Sequence, residues 1–233
     1  MLISGIQKFS LLDFPEKTSC IIFTPGCNFR CGYCHNPEFV LPDKIQKLRN
    51  TFIPEKNILN FLEQRINLLD GVVISGGEPT LMPDLIPFIY KIKEMGFLIK
   101  LDTNGNRPEL IREVIAKKIV DYIAMDIKTS LAEYQNLVGK FVKPNNILES
   151  IRLLITNNVG YEFRSTLIKE IHSSSTLEQM SDMIGGAKKI YLQTFRPDHT
   201  LYEDFQNYHP FEKKEMDSIV LTFKKNVEEV YIR

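Results

Sequence analysis

The sequence predicts an α/β fold with a parallel sheet, curled into a partial barrel of about six βα units. Three observations carry this. Short apolar runs alternate with stretches of helical periodicity along the whole chain. Nearly every run ends in polar residues at its C-terminal end, the edge where such sheets bind ligands. The 233 residues, 43% of them hydrophobic, suit a single domain spanning 1–233.

In chain order, the first run is Ser19–Thr24, rich in Ile and Phe and too short for a helix. A cysteine-rich loop follows it. Ile58, Leu62, Ile66 and Leu69 then share one helical face behind Pro54, which fits a first turn. The second run, Gly71–Ser75, leads into Gly76-Gly77-Glu78-Pro79. Pro83 opens a helix with Leu85, Ile89 and Ile92 on one side, and the third run, Leu98–Thr103, ends in Asp102-Thr103-Asn104-Gly105. Asn106 and Pro108 start the helix of Leu110, Val114 and Ile115.

The fourth run, Tyr122–Ile127, ends in Asp126-Ile127-Lys128. Polar residues alternating with apolar ones inside a strand pattern are more than a loop start. Ile147, Ile151 and Leu154 form the next helix face, before Tyr161–Leu167 with Arg164-Ser165-Thr166. Leu177, Met180 and Ile184 precede Ile190–Thr194, which runs into Gln193-Thr194-Phe195-Arg196. Met216, Ile219, Val220 and Phe223 make the last helix, and Val227–Ile232 the last run.

Composition narrows the function. Lysine plus arginine equals aspartate plus glutamate at 29 each, so nothing points to nucleic acid or an anionic membrane surface. No apolar run reaches the roughly 18–20 residues of a membrane span. The N-terminus has no signal-peptide pattern, so a reducing, cytoplasmic setting is expected. There, clustered cysteines read as metal or redox ligands rather than disulfides.

Three of the four cysteines, Cys27, Cys31 and Cys34, fall in "CNFRCGYC", spaced C-x3-C-x2-C. Three thiolates on one loop can hold a soft metal. A closed zinc site needs a fourth ligand, either His35 or Cys20. Cys34 and His35 are adjacent and would strain to reach one ion; Cys20 lies in a strand pattern and reads as core. An iron–sulfur cluster with only three thiolates would leave one iron open to substrate or cofactor. The residues alone leave both metals standing.

The loop resembles the cluster loop of the radical S-adenosylmethionine (SAM) superfamily, and Gly76-Gly77-Glu78-Pro79 resembles that family's GGEP motif in type and position. The alternation of strands and helices is similar to the family's partial (β/α)6 TIM-like barrel over essentially the whole chain. The resemblance implies a 4Fe–4S cluster on Cys27, Cys31 and Cys34, with SAM chelating the fourth iron. It implies that Gly76, Gly77 and Glu78 receive the methionine ammonium, and that Tyr33, His35 and Asn36 lie near the nucleoside.

"LDTNG", "MDIK", "EFRSTLI" and "YCHNP" resemble segments of glycyl-radical enzyme activases, the activases of pyruvate formate-lyase and of anaerobic ribonucleotide reductase. The opening "GIQKFSLLDFPEKTSCIIFTPGCNFRC" is similar to the reductase-activating group in particular. By that likeness Asp102 and Asp126 lie near the SAM carboxylate, Arg164 and Thr166 approach the ribose or carboxylate, and Gln193 and Arg196 stand where the sixth strand closes the site. Carboxylates facing a carboxylate need a counter-charge, either a bound monovalent cation or Lys128. Larger activases carry an inserted region with extra clusters, which Cys20 alone cannot supply; the shorter reductase activases lack much of the second half present here.

The implied activity is reductive cleavage of SAM to a 5′-deoxyadenosyl radical, with flavodoxin or ferredoxin as electron donor, and installation of a glycyl radical on a partner enzyme. No side chain need act as general acid or base. The alternatives are a small-molecule radical SAM enzyme such as 7-carboxy-7-deazaguanine synthase and, from another class, a zinc-binding interaction module.

Overall fold

The computed structural model describes Met1–Arg233. It contains strands β1 (Gly5–Ser10), β2 (Ser19–Thr24), β3 (Gly71–Gly76), β4 (Leu98–Thr103), β5 (Tyr122–Asp126), β6 (Gly160–Leu167), β7 (Lys189–Thr194) and β8 (Glu229–Ile232). The helices are α1 (Pro42–Leu48), α2 (Glu55–Glu63), α3 (Leu85–Glu94), α4 (Pro108–Ala116), α5 (Tyr134–Val138), α6 (Pro144–Thr156), α7 (Ser174–Met183) and α8 (Lys213–Phe223). Strand order in the sheet is chain order. The pairs β2–β3, β3–β4, β6–β7 and β7–β8 are parallel, and β1 runs antiparallel to β2. This is the α/β, partial-barrel class. No helix is long and apolar enough to cross a membrane.

The chain forms two compact units: Met1–Asn28, Asn36–Thr103 and Glu109–Ala124, and then Phe29–His35, Asn104–Pro108 and Met125–Arg233. In the first, side chains alternate across the sheet. Register sets Cys20 beside Val72 and Val72 beside Ile99, then Ile22 beside Ile74 and Ile74 beside Leu101, all fully buried. That row is apolar throughout, as a strand covered by helices requires; α3 buries Leu85, Phe88, Ile89 and Ile92. On the opposite face Phe14, Ile21 and Val73 cluster with Phe23, Leu98 and Tyr122.

In the second unit β6 and β7 bury Phe163, Ile190, Ser165 and Leu192 on one face. The other face pairs Arg164 with Tyr191 and Thr166 with Gln193. Helix starts follow capping chemistry, although Pro54 is the N-cap of α2 rather than in its first turn and Pro83 precedes Asp84, the N-cap of α3. Pro144 occupies the first turn of α6, Ser173 caps α7 by accepting from the Thr176 N–H at 3.1 Å, and Glu212 and Glu215 form a capping box on α8.

Other details also differ from the sequence reading. Helix α2 stops at Glu63, so Ile66 lies in the turns beyond it and Leu69 in the irregular segment that follows. The last strand begins at Glu229, two residues after Val227. Strand β1 is an added edge strand whose Gln7, Lys8 and Phe9 are exposed, which hides it from a search for apolar runs.

Candidate active site

In the first unit, β2 ends at Thr24 and the chain turns through Gly26 to the half-buried Cys27. The Gly76–Glu78 segment is laced to that turn. The Gly77 N–H donates to the Thr24 carbonyl at 2.8 Å and the Glu78 N–H to the Gly26 carbonyl at 2.7 Å. Such closeness requires glycine. A Cβ on Gly77 would lie 2.1 Å from the Gly26 oxygen, and Gly76, at φ +114°, would place one 2.4 Å from the Thr24 nitrogen. On its other side Gly26 donates to the Phe39 carbonyl at 2.7 Å, and Phe39 donates to the Asn36 carbonyl at 3.0 Å, closing a short turn.

Glu78 is 1% exposed. Its Oε1 accepts from the Thr80 N–H at 3.1 Å and from the Thr103 hydroxyl at 2.9 Å, so the carboxylate braces the Pro79–Leu81 turn. Asp102, at the carboxyl end of β4, accepts from the Ser75 hydroxyl at 2.9 Å and pairs with the Lys100 ammonium at 3.1 Å.

In the second unit, the Phe29–His35 loop is held by its backbone. The Arg30 N–H donates to the Val138 carbonyl at 2.8 Å, Tyr202 donates to the Gly32 carbonyl at 3.0 Å, and Cys34 donates to the Cys31 carbonyl at 3.0 Å. A Cβ on Gly32 would lie 2.0 Å from the Phe205 ring. Tyr33 is buried, its ring 6.1 Å from that of Phe205, with the Lys128 ammonium 5.9 Å from its centre. Burial pushes the Cys31 thiol up to about 11, against the opposing pull of Lys128.

Asp126 joins Lys128 and Arg164. Its Oδ2 accepts from the Lys128 ammonium at 2.9 Å and its Oδ1 from the Arg164 Nε at 3.0 Å. Burial works to raise the carboxyl, but the two cations prevail and hold it at about 2. Lys128, in spite of its burial, is held well above the usual lysine value by Asp126. The Thr166 hydroxyl lies 3.5 Å from the Gln193 amide oxygen. His35 stacks on Phe195 and donates through Nε2 to the Arg196 carbonyl at 2.9 Å, while the Arg196 side chain is exposed.

The Lys128 peptide is gripped from both sides. Its N–H donates to the Tyr134 hydroxyl at 3.0 Å. Its carbonyl accepts from His172 Nε2 at 3.0 Å, while His172 Nδ1 accepts from the Ile168 N–H at 2.9 Å. Those two partners fix the neutral Nε2–H tautomer. His172 and Tyr134 are 1% and 0% exposed.

Cys27, Gly76, Gly77, Glu78, Asp102 and Asn36 thus belong to the first unit. Cys31, Cys34, Tyr33, His35, Asp126, Lys128, Arg164, Thr166, Gln193 and Arg196 belong to the second. Sequence reasoning missed Lys100, Tyr134 and His172. Lys100 had a signal, since Lys100-Leu101-Asp102 mirrors Asp126-Ile127-Lys128; the other two had none.

Within either unit no three His, Cys, Asp or Glu side chains are set to hold a metal ion. The donor chemistry nevertheless fits an iron–sulfur cluster: Cys27, Cys31 and Cys34 lie on one loop and none is in a disulfide. The fourth cysteine, Cys20, is fully buried in β2, where burial pushes its thiol up to about 12.

Comparison with known proteins agrees. The signature described as the radical SAM superfamily matches residues 21–174. A Methanocaldococcus jannaschii protein named as a glycyl-radical enzyme activating enzyme is 36% identical over 239 residues, covering 100% of this chain and 95% of its own. The pyruvate formate-lyase-activating enzyme of Clostridium pasteurianum is 26% identical, over 85% of this chain and 82% of its own. A 7-carboxy-7-deazaguanine synthase of Thermococcus kodakarensis is 30% identical over 55% of each chain. Among solved structures, Streptococcus suis SuiB shares the fold at TM-score 0.66 and 13% identity, over 91% of this chain and 49% of the SuiB chain. The chain belongs to the radical SAM superfamily, in its glycyl-radical enzyme activating branch.

Proposed function

We propose that this enzyme cleaves SAM reductively at a 4Fe–4S cluster held by Cys27, Cys31 and Cys34, and installs a glycyl radical on a partner enzyme. The superfamily's cofactors are that cluster and SAM. When bound and reduced, they supply a 5′-deoxyadenosyl radical. The observation that carries the reading is the three-cysteine loop following β2 with the Gly-Gly-Glu segment hydrogen-bonded to its Gly26 turn. The full-length likeness to an activating enzyme supports the protein substrate.

The chain's own residues bind, orient and shield. Gly76 and Gly77 offer backbone to the methionine ammonium at a spot no side chain can occupy, and Glu78 keeps that backbone in place. Asp102 holds the same strand edge. Lys128 and Arg164, both bound to Asp126, offer cationic groups to the methionine carboxylate. Thr166, Gln193 and Arg196 line the carboxyl ends of β6 and β7. The backbone of Tyr33, His35 and Asn36 borders the nucleoside; the Tyr33 ring itself is buried against Phe205. No general acid or base is assigned.

Anaerobic ribonucleotide reductase is the partner to test first, with flavodoxin or ferredoxin as electron donor. Reconstituted protein with dithionite should turn SAM into 5′-deoxyadenosine and methionine. Alanine at Cys27, Cys31 or Cys34 should abolish this, and Cys20→Ala should spare it. No 5′-deoxyadenosine from wild type would sink the reading. A glycyl-radical resonance in the partner, seen only with SAM and reductant together, tests the target. The half-length likeness to 7-carboxy-7-deazaguanine synthase favours a second reading, in which a pterin rather than a folded protein accelerates SAM cleavage.

A further inference from the structure

Carboxylates at a strand edge that must face another carboxylate call for counter-charge, and a dissolved monovalent cation is the simplest supply. The structure provides a different one at Asp102. Lys100 is 1% exposed, in the middle of β4. Register sets it beside Val73, and Val73 beside Ile21, in the row of the Phe14–Ile21–Val73 apolar cluster. A lysine is seldom buried so deeply without a partner that justifies it. Its stem lies in that row, and its ammonium reaches Asp102, two residues on and therefore on the same face of the strand, at 3.1 Å. The other Asp102 oxygen takes the Ser75 hydroxyl.

We propose that Lys100 is a tethered counter-cation for Asp102, which lets this enzyme bind SAM without any free monovalent cation. The inference rests on the SAM-binding reading and deepens it. Lys128 does not do this work within its own unit, because it is paired there with Asp126 beside Arg164. An alkali ion at Asp102 would have to approach the Lys100 ammonium, a like charge in a poorly solvated place. A tethered cation is always present, so binding forfeits nothing to its recruitment.

The first test needs no variant. SAM affinity of the reconstituted enzyme is measured by calorimetry in choline chloride, and again in sodium or potassium chloride at about 100 mM, so that screening is matched. The expected Kd agrees within about twofold across the three salts; tightening of about tenfold in sodium or potassium would overturn the proposal. Absence of SAM binding in every salt would instead remove the SAM reading and this inference with it.

Lys100→Met supplies the converse. Its SAM affinity in choline should fall about tenfold and return on adding potassium or sodium, whereas Lys100→Arg should stay independent of salt type. A second readout uses the cluster-free protein. Potassium should raise the thermal midpoint of Lys100→Met over its value in choline, and should leave wild type unmoved. A Lys100→Met protein equal to wild type in choline by both readouts would refute the tethered role.

Discussion

Asp126 sits between two cations, each within 3.0 Å, and that geometry makes it an acid-sensitive point. Its folded carboxyl titrates at about 2, against an ordinary value of 3.8. Protons therefore bind the unfolded chain first. The stability it lends is complete above about pH 4 and is lost as pH falls toward 2. Asp126→Asn should be less stable at neutral pH, because two half-buried cations lose their anion, yet show a flatter decline in acid. Urea midpoints between about pH 5 and pH 2.5 test this; parallel curves for the two proteins would refute it. His172 behaves in the same sense at higher pH. Burial, opposed only in part by the Lys128 and Ile168 carbonyls beside the two ring nitrogens, lowers its value from 6.5. The unfolded imidazole takes up a proton first, so stability falls as pH drops below 6.5, and His172→Gln should remove that part of the slope. Tyr134→Phe takes away the acceptor of the Lys128 N–H and leaves a buried donor, a loss of about 1–3 kcal/mol readable by urea unfolding.

At the scale of elements, the loop geometry depends on absent side chains. Gly77→Ala puts a methyl 2.1 Å from a backbone oxygen that cannot step aside, so SAM binding and stability should both suffer. Gly32→Ala meets the Phe205 ring at 2.0 Å, and a ring can be trimmed. The double variant Gly32→Ala, Phe205→Ala should therefore recover part of the stability that Gly32→Ala loses, a coupling of about 0.5–3 kcal/mol in a double-mutant cycle. Strict additivity would mean that the contact is unimportant. These elements also mark how far the sequence could be read. The runs Ser19–Thr24 and Leu98–Thr103 are strands to the residue, because their alternation and their Ile, Leu and Phe content agree with burial on both faces. Strand β1 escaped because an edge strand may carry Gln7 and Lys8 outward. The Gly-Gly-Glu motif was legible, yet the brace that Glu78 Oε1 gives the Pro79–Leu81 turn was not. The clamp of Tyr134 and His172 on Lys128 was illegible. It joins residues up to 44 apart through backbone groups, which have no letter in the sequence.

For the whole molecule, cluster loading is a folding reaction as much as a catalytic one. Three cysteines outside any disulfide share one loop, Cys31 must give up its proton to bind iron, and only the folded loop presents the three together. A ligand that binds the native state alone at a hundred times its Kd stabilises by about 2.7 kcal/mol. For a chain of 233 residues this is a rise of about 5–10 °C in the thermal midpoint. Anaerobic calorimetry of the reconstituted and the chelator-stripped protein should show that difference, with the stripped form still folded around its apolar rows, Cys20 included. Cys27→Ala should fold like the stripped wild type and gain little from iron and sulfide. If Cys27→Ala keeps the full increment, the metal is held elsewhere, and the three-cysteine assignment falls whatever the activity of the preparation.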